Sequence, residues 1–276
     1  MASITVRPAA VAGQFYPADA RQLGAQIATL LAAAQLAEYP LEAPKALVVP
    51  HAGYIYSGPV AALGYASVAR LRDTVRRVVL LGPAHRMAVR NFVLPATHAF
   101  ATPLGTIPLD DESWHWLQRR AEVVVDDRPH ALEHCLEVQL PFLQSVLDGF
   151  SIVPLLVGDA TPDAVAELLD ALWGGRETLI VISSDLSHYH PYHDAQALDR
   201  ATAGQITTLQ GDLQDLQACG ARPINGLLHV ARRRGLKPLL LDLRNSGDTA
   251  GDRSRVVGYT SIAFYEPDDH EHPVRH

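Results

Sequence analysis

The chain is poor in cysteine, in lysine and in long apolar runs. Cys135 and Cys219 are the only cysteines in 276 residues, too few to frame a secreted disulfide scaffold, so both are expected to stay reduced. No stretch approaches the roughly 18 consecutive apolar residues that cross a bilayer. Met1 to Gly13 also lacks the charged start and apolar run of a secretion signal. A cytoplasmic protein without a membrane partner is the expectation. Lys45 and Lys237 are the only lysines, and 30 acidic against 23 basic residues give a formal net charge of -7. With no Lys/Arg block to neutralise phosphates, nucleic acid is not an expected partner.

Compact site signatures are missing too. There is no C-x-x-C or H-E-x-x-H metal spacing, no G-x-S-x-G elbow and no G-x-G-x-x-G after the first strand. The last two absences weigh against dinucleotide binding and against a serine hydrolase, although Ser183, Ser184 and Ser187 sit near histidines.

What is present is a large apolar core in α/β order, with 48% hydrophobic and 19% charged residues. Strand-like runs are read at Ala46 to Val49, Val78 to Leu81, Phe92 to Pro95, Ile152 to Val157, Thr178 to Ile182, Leu239 to Leu243 and Val256 to Phe264. Short strands around Gly105 suggest an antiparallel excursion at the sheet edge. Asp19 caps a helix to about Leu36, before a loop marked by Pro40 and Pro44, and Thr161-Pro162 opens another helix. Pro59 is read at the first helical position after the Ala46 to Val49 strand. Ala131 to Leu147 reads as one helix kinked at Pro141, with Leu132, Leu136, Leu140 and Leu143 facing the core.

Runs such as Leu179 to Ile182 lack the alternation of a strand with one wet face, so the sheet is expected to be mostly parallel or mixed, with helices on both faces. The expected organisation is a single α/β domain over 7–265 and a disordered polar tail over 266–276.

Four polar clusters follow apolar runs: Pro50-His51-Ala52-Gly53-Tyr54, Gly82-Pro83-Ala84-His85, Ser183-Ser184-Asp185-Leu186-Ser187-His188 and Cys219-Gly220. Loops at one edge of a wound sheet converge, so His51, His85 and Cys219 offer two imidazoles and a soft thiolate for one ion. The same residues also suit backbone-bonded turn histidines and a buried thiol. Asp185 and His188 form D-x-x-H, a carboxylate able to orient an acid/base imidazole, or alternatively a helix cap. Glu133 and Glu137 share a helical face that turns away from His134 and reads as solvated. Tyr54 and Tyr56 flank the His51 loop as pocket or core aromatics.

Taken in order, these motifs resemble the Memo family, known in bacteria as AmmeMemoRadiSam system protein B. The residues that carry the likeness are Gly13 to Tyr16, Pro50 to Gly58, Gly82 to His85, Glu133 to Pro141, Ser183 to Asp185, Cys219-Gly220 and Pro223-Ile224. The family's fold is similar to the catalytic subunit of class III extradiol dioxygenases, non-haem Fe(II) enzymes. The resemblance implies His51, His85 and Cys219 as metal ligands, His188 as acid/base with Asp185 beside it, and Phe15, Tyr16, Tyr54, Tyr56, Glu133 and His134 about the pocket. A thiol stands where the dioxygenases use a carboxylate, which shifts preference among Fe(II), copper and zinc. The implied function is metal-dependent redox or dioxygenase-like chemistry on a small substrate. The alternative is a non-catalytic protein that binds metal or peptide in the same pocket. AMMECR1-like and radical SAM proteins are the implied partners.

Overall fold

The computed structural model describes residues 5–34 and 43–267. Leu36, Pro40 and the tail beyond Pro267 lie outside them. In chain order the strands are β1 (Val6–Arg7), β2 (Ala46–Val49), β3 (Arg77–Pro83), β4 (Phe92–Leu94), β5 (Ala99–Thr102), β6 (Gly105–Pro108), β7 (Val123–Val125), β8 (Ser151–Val157), β9 (Thr178–Ser183), β10 (His188–His190), β11 (Lys237–Asn245) and β12 (Val256–Tyr265). The helices are α1 (Ala20–Ala33), α2 (Tyr54–Val68), α3 (Asp111–Leu117), α4 (Arg128–Ala131), α5 (Leu140–Val146), α6 (Pro162–Leu172), α7 (Tyr192–Thr207), α8 (Ala221–Arg234) and α9 (Ser246–Thr249).

The main sheet runs β10-β12-β2-β9-β3-β8-β4-β7, with β11 also on β12. Its centre, β2-β9-β3-β8, is parallel. β12 joins β2 antiparallel and β4 joins β8 antiparallel, so the sheet is mixed. The Gly105 hairpin is antiparallel as read, but it forms a separate β1-β5-β6 sheet rather than an edge of the main one.

Strand period two explains why continuous apolar runs were needed. Leu47, Val49, Val78, Leu80, Leu179 and Val181 enter one core with α1, α2 and α5. Their alternates Ala46, Val48, Val79, Leu81, Ile180 and Ile182 enter a second core with α6 and α8. Each such side chain contributes about 1.5–3 kcal/mol by leaving water, so a polar residue on either face would be disfavoured. The single α/β domain therefore has helices on both faces of its sheet.

Two helix readings are corrected. α2 starts at Tyr54, which leaves Pro59 inside it rather than at its first position. The Tyr54 N–H donates to the Phe15 carbonyl at 2.8 Å, so a partner far away in sequence satisfies a donor that the helix start leaves free. The stretch from Ala131 to Leu147 is not one helix. α4 ends at Ala131, a short 3-10 turn covers Glu137–Gln139, and α5 follows with Pro141 in its first turn. Leu132, expected in the core, is 67% exposed. The reason is side-chain competition: the Glu133 carboxylate accepts the N–H groups of His134 and Cys135, at 2.9 and 3.1 Å, and so withdraws those donors from a helical ladder.

Candidate metal centre and its pocket

His51 follows β2, Asp185 follows β9 and His85 follows β3. These three parallel strands are neighbours with β9 in the middle, so their loops leave from the same edge and meet there. Backbone topology alone brings together residues more than a hundred positions apart.

The buried hydrogen bonds fix the chemistry of His51. The Ser183 hydroxyl donates its single hydrogen to the Cys135 carbonyl at 2.7 Å and accepts from Gln139 Nε2 at 2.8 Å. Toward His51 Nδ1, 2.8 Å away, Ser183 can then only accept, so Nδ1 carries the proton and Nε2 presents a lone pair. Tyr65 donates to Gln139 Oε1 at 2.8 Å, which sets the orientation of the amide. Burial, and then the neighbouring His85 and His134, hold the His51 imidazole well below its usual pKa and keep it neutral.

Glu133 does the same for His85. Its carboxylate accepts the His85 backbone N–H at 2.6 Å and faces the ring Nδ1 at 2.9 Å, leaving Nε2 free. Burial alone would raise the Glu133 carboxyl, but contacts from His134 and His85 outweigh it and hold the group well below the usual carboxylate range. The sequence reading of Glu133 and Glu137 as a solvated acidic face is therefore corrected. Glu133 is 2% exposed and Glu137 is fully buried. Glu137 pairs with Arg7 at 2.7 Å and accepts from Ala10 N, Val11 N and the Tyr16 hydroxyl. It thereby clamps the N-terminal segment onto the loop that carries the site.

His134, placed about the pocket by the family resemblance, does face the cluster, and it lies beside Glu133 rather than on an opposite helical face because no helix runs through it. Its ring stacks on His85 at 4.8 Å between centroids and meets His51 edge-on at 5.3 Å. One ring nitrogen each from His51, His85 and His134 lie within 4.8 Å of one another. His134 Nδ1 is 3.2 Å from Glu133 Oε1 yet off-line for a hydrogen bond, a buried nitrogen left unpaired.

Cys219 reaches this group through His51: its Sγ is 3.2 Å from His51 Nε2 and accepts the Asp185 N–H at 3.3 Å. Burial, and then the Asp185 charge, push the thiol up to about 12. Both cysteines are free thiols. Asp185 Oδ1 accepts the His51 backbone N–H at 2.7 Å rather than orienting the His188 ring, as the D-x-x-H reading had it. The donor set fits a borderline or soft transition ion: imidazoles whose far nitrogens are held by Ser183 and Glu133, with a thiol at hand.

Above this floor opens a cavity of about 630 Å³, lined by Phe15, Tyr56, His134, Asp185 and His188, with Arg86, Tyr189, Arg255 and Tyr259 among its further walls. Phe15, Tyr56 and His134 are thus pocket residues. Tyr54 and Tyr16 stand behind the wall, 2% and 3% exposed. Their rings pack in the core, and their hydroxyls donate to the Val138 carbonyl and to Glu137. Sequence reasoning missed Ser183, Gln139 and Tyr65 as a relay behind His51, because nothing local distinguishes them from ordinary core polar groups. A second cavity of about 600 Å³ opens around Lys45, Arg176 and Arg234, and no histidine or cysteine lines it.

This chain belongs to the Memo-like protein family, whose profile matches residues 7–263. A MEMO1 family protein of Sulfolobus acidocaldarius is 36% identical over 94% of this chain and 99% of its own length. One from Ignicoccus hospitalis is 38% identical over 95% and 99%. An uncharacterized protein from Escherichia coli K12, known from a crystal structure, aligns with 80% of this chain and 99% of its own at a TM-score of 0.49 and 15% identity. Among the described residues, no helix is long and apolar enough to cross a membrane.

Proposed function

We propose that this protein is a cytoplasmic metal-dependent redox protein of dioxygenase-like chemistry, acting on a small substrate in the 630 Å³ cavity. The observation that carries this reading is the paired orientation of His51 and His85. Each has its Nδ1 held by an oxygen, the Ser183 hydroxyl or the Glu133 carboxylate, so that its Nε2 is the nitrogen left for an ion. His51 and His85 with Cys219 would hold Fe(II) or copper, and a bound ion of this kind supplies one-electron exchange and affinity for dioxygen.

The chain's own residues do the rest. Ser183 and Glu133 hold the two rings. Asp185 anchors the His51 backbone. His188, on β10 at the cavity wall, is placed to take or give a proton at a substrate atom. Phe15 and Tyr56 supply apolar walls. A place beside an AMMECR1-like and a radical SAM protein belongs to the same proposal and rests on the family resemblance.

The test is dioxygen consumption after anaerobic loading with Fe(II) or Cu(I). Uptake that disappears in His51→Ala supports the reading. No uptake with either metal, in protein shown to have bound it, refutes turnover with dioxygen.

A further inference from the structure

The strands that lead to His51 and Asp185 begin at a different cavity, at the opposite end of the sheet. Lys45 immediately precedes β2 and Thr178 opens β9. Both line the 600 Å³ cavity together with Arg176 and Arg234, and Glu266 is the only carboxylate among the described residues of its wall. Lys45 is the unusual member. It is 6% exposed, and its Nζ donates to the carbonyls of Gly175 and Thr178 at 2.6 and 2.7 Å. An ammonium carries three hydrogens. Among the described residues the third has no acceptor, and no carboxylate forms an ion pair with the group. The carboxylates nearby are engaged elsewhere: Glu177 accepts the Gly175 N–H and the Thr178 hydroxyl, and Glu266 accepts Trp173 Nε1 at 3.1 Å. Burial accordingly pulls the Lys45 ammonium down to about 8, against the through-space attraction of Glu266 and Glu177. A buried cation without a counter-charge is disfavoured unless something else supplies one.

Two further cations share the wall. The Arg234 guanidinium carbon and Lys45 Nζ lie 4.6 and 5.4 Å from the centroid of the same Trp173 ring. Asp170 takes Nε and Nη2 of Arg234, at 3.0 and 2.9 Å, which leaves Nη1 without a partner among the described residues. Arg176 is exposed at the end of the turn through Gly174 and Gly175. We propose that this cavity is an anion site for a phosphate group, free or carried by a small molecule, with Lys45, Arg176 and Arg234 as its donors. Cations on separate elements around one space suit a tetrahedral anion, whose oxygens accept from several directions, better than a planar carboxylate. The cavity is larger than a phosphate ion needs, and Pro44 and Leu71 give it an apolar side where an organic body fits. The site is separate from the His51 pocket and holds whether or not that pocket binds a metal.

Lys45 can be watched without altering it, because Lys45 and Lys237 are the only lysines in the chain. Protein isotopically labelled at lysine Cε gives two side-chain NMR signals, which a Lys237→Arg variant tells apart. Metal-free wild type is titrated with inorganic phosphate, glycerol phosphate and AMP at constant ionic strength, with sodium chloride as the control for screening. The expected result is a saturable shift of the Lys45 signal at millimolar phosphate or below, with no such shift in chloride. Arg176→Ala and Arg176→Glu, at an exposed position, should unfold thermally as wild type does and bind phosphate at least roughly tenfold more weakly, the loss of one charge-assisted contact. Tighter binding of either ester than of inorganic phosphate supports the site and assigns it a phosphorylated small molecule; the reverse order supports it and assigns the free ion.

A Lys45 signal that phosphate and both esters move no further than chloride does would overturn the site. So would folded Arg176 variants that bind phosphate as wild type does.

Discussion

The backbone N–H of His51 donates to Asp185 Oδ1 at 2.7 Å, tying the loop after β2 to the loop after the adjacent strand β9. Burial pushes the Asp185 carboxyl above its usual pKa, while the His51 hydrogen bond opposes the shift. What this contact needs is an acceptor oxygen, which a neutral amide also supplies. Asp185→Asn, which keeps that oxygen, is expected to unfold close to wild type. Asp185→Ala strands a buried donor and should cost about 1–3 kcal/mol. Urea unfolding of both variants checks this, and equal losses would show that the hydrogen bond is not the operative contact.

Glu137 should be among the most sensitive surface-remote positions in the chain. It is fully buried against Arg7 and accepts four hydrogen bonds from the N-terminal segment, counting that of the Tyr16 hydroxyl. Glu137→Ala leaves a buried guanidinium without its partner, at a cost of about 3–5 kcal/mol. A double variant with Arg7→Met is expected to recover part of that loss, because the stranded charge goes with it. Denaturant midpoints for the single and double variants decide the point.

His130 gives the protein an acid-sensitive component outside the His51, His85 and His134 cluster. Burial holds its imidazole down to about 4, against the carbonyl hydrogen bond to Val93 that favours the charged form. Between pH of about 6.5 and 4 the unfolded chain takes up a proton that the folded chain refuses, so stability falls as pH falls. The group accounts for about 3 kcal/mol across that window. In His130→Gln the pH-stability curve should be flatter by that amount, measured by unfolding at a series of pH values. Parallel curves would remove His130 from the account.

Cys219 should alkylate slowly in the metal-free protein. With its thiol pushed up to about 12 by burial and by Asp185, the thiolate fraction at pH 8 is on the order of 10³-fold below that of a free cysteine. Iodoacetamide labelling in a Cys135→Ser background, followed by mass spectrometry, should show a rate that climbs steadily up to and beyond pH 10. A plateau near pH 8.5 would show an ordinary exposed thiol.

Much of the framework was legible in the linear chain. Ala46 to Val49 and Ile152 to Val157 read as buried strands because burial on both faces demands unbroken apolar runs. The caps at Asp19 and Thr161 read correctly because each side-chain oxygen accepts an N–H only three residues ahead. These are local signals, and local physics decides them. Pro59 and the stretch from Ala131 to Leu147 were misread for the complementary reason. Their backbone donors find partners that sequence spacing does not reveal, the Phe15 carbonyl in one case and the Glu133 carboxylate in the other.

By itself the sequence determined the class of the fold, the strands that lead to His51, His85 and Asp185, and the absence of any compact metal or nucleotide motif. Tertiary structure alone decided which of the candidates meet. Placing β9 between β2 and β3 set Asp185 against His51. Breaking the helix at Glu133 turned His134 inward, and closing the core around Tyr65, Gln139 and Ser183 chose the tautomer of His51. The physical reason is that a side chain's chemistry at this site depends on what holds its other end, and those holders lie scores of residues away in the chain.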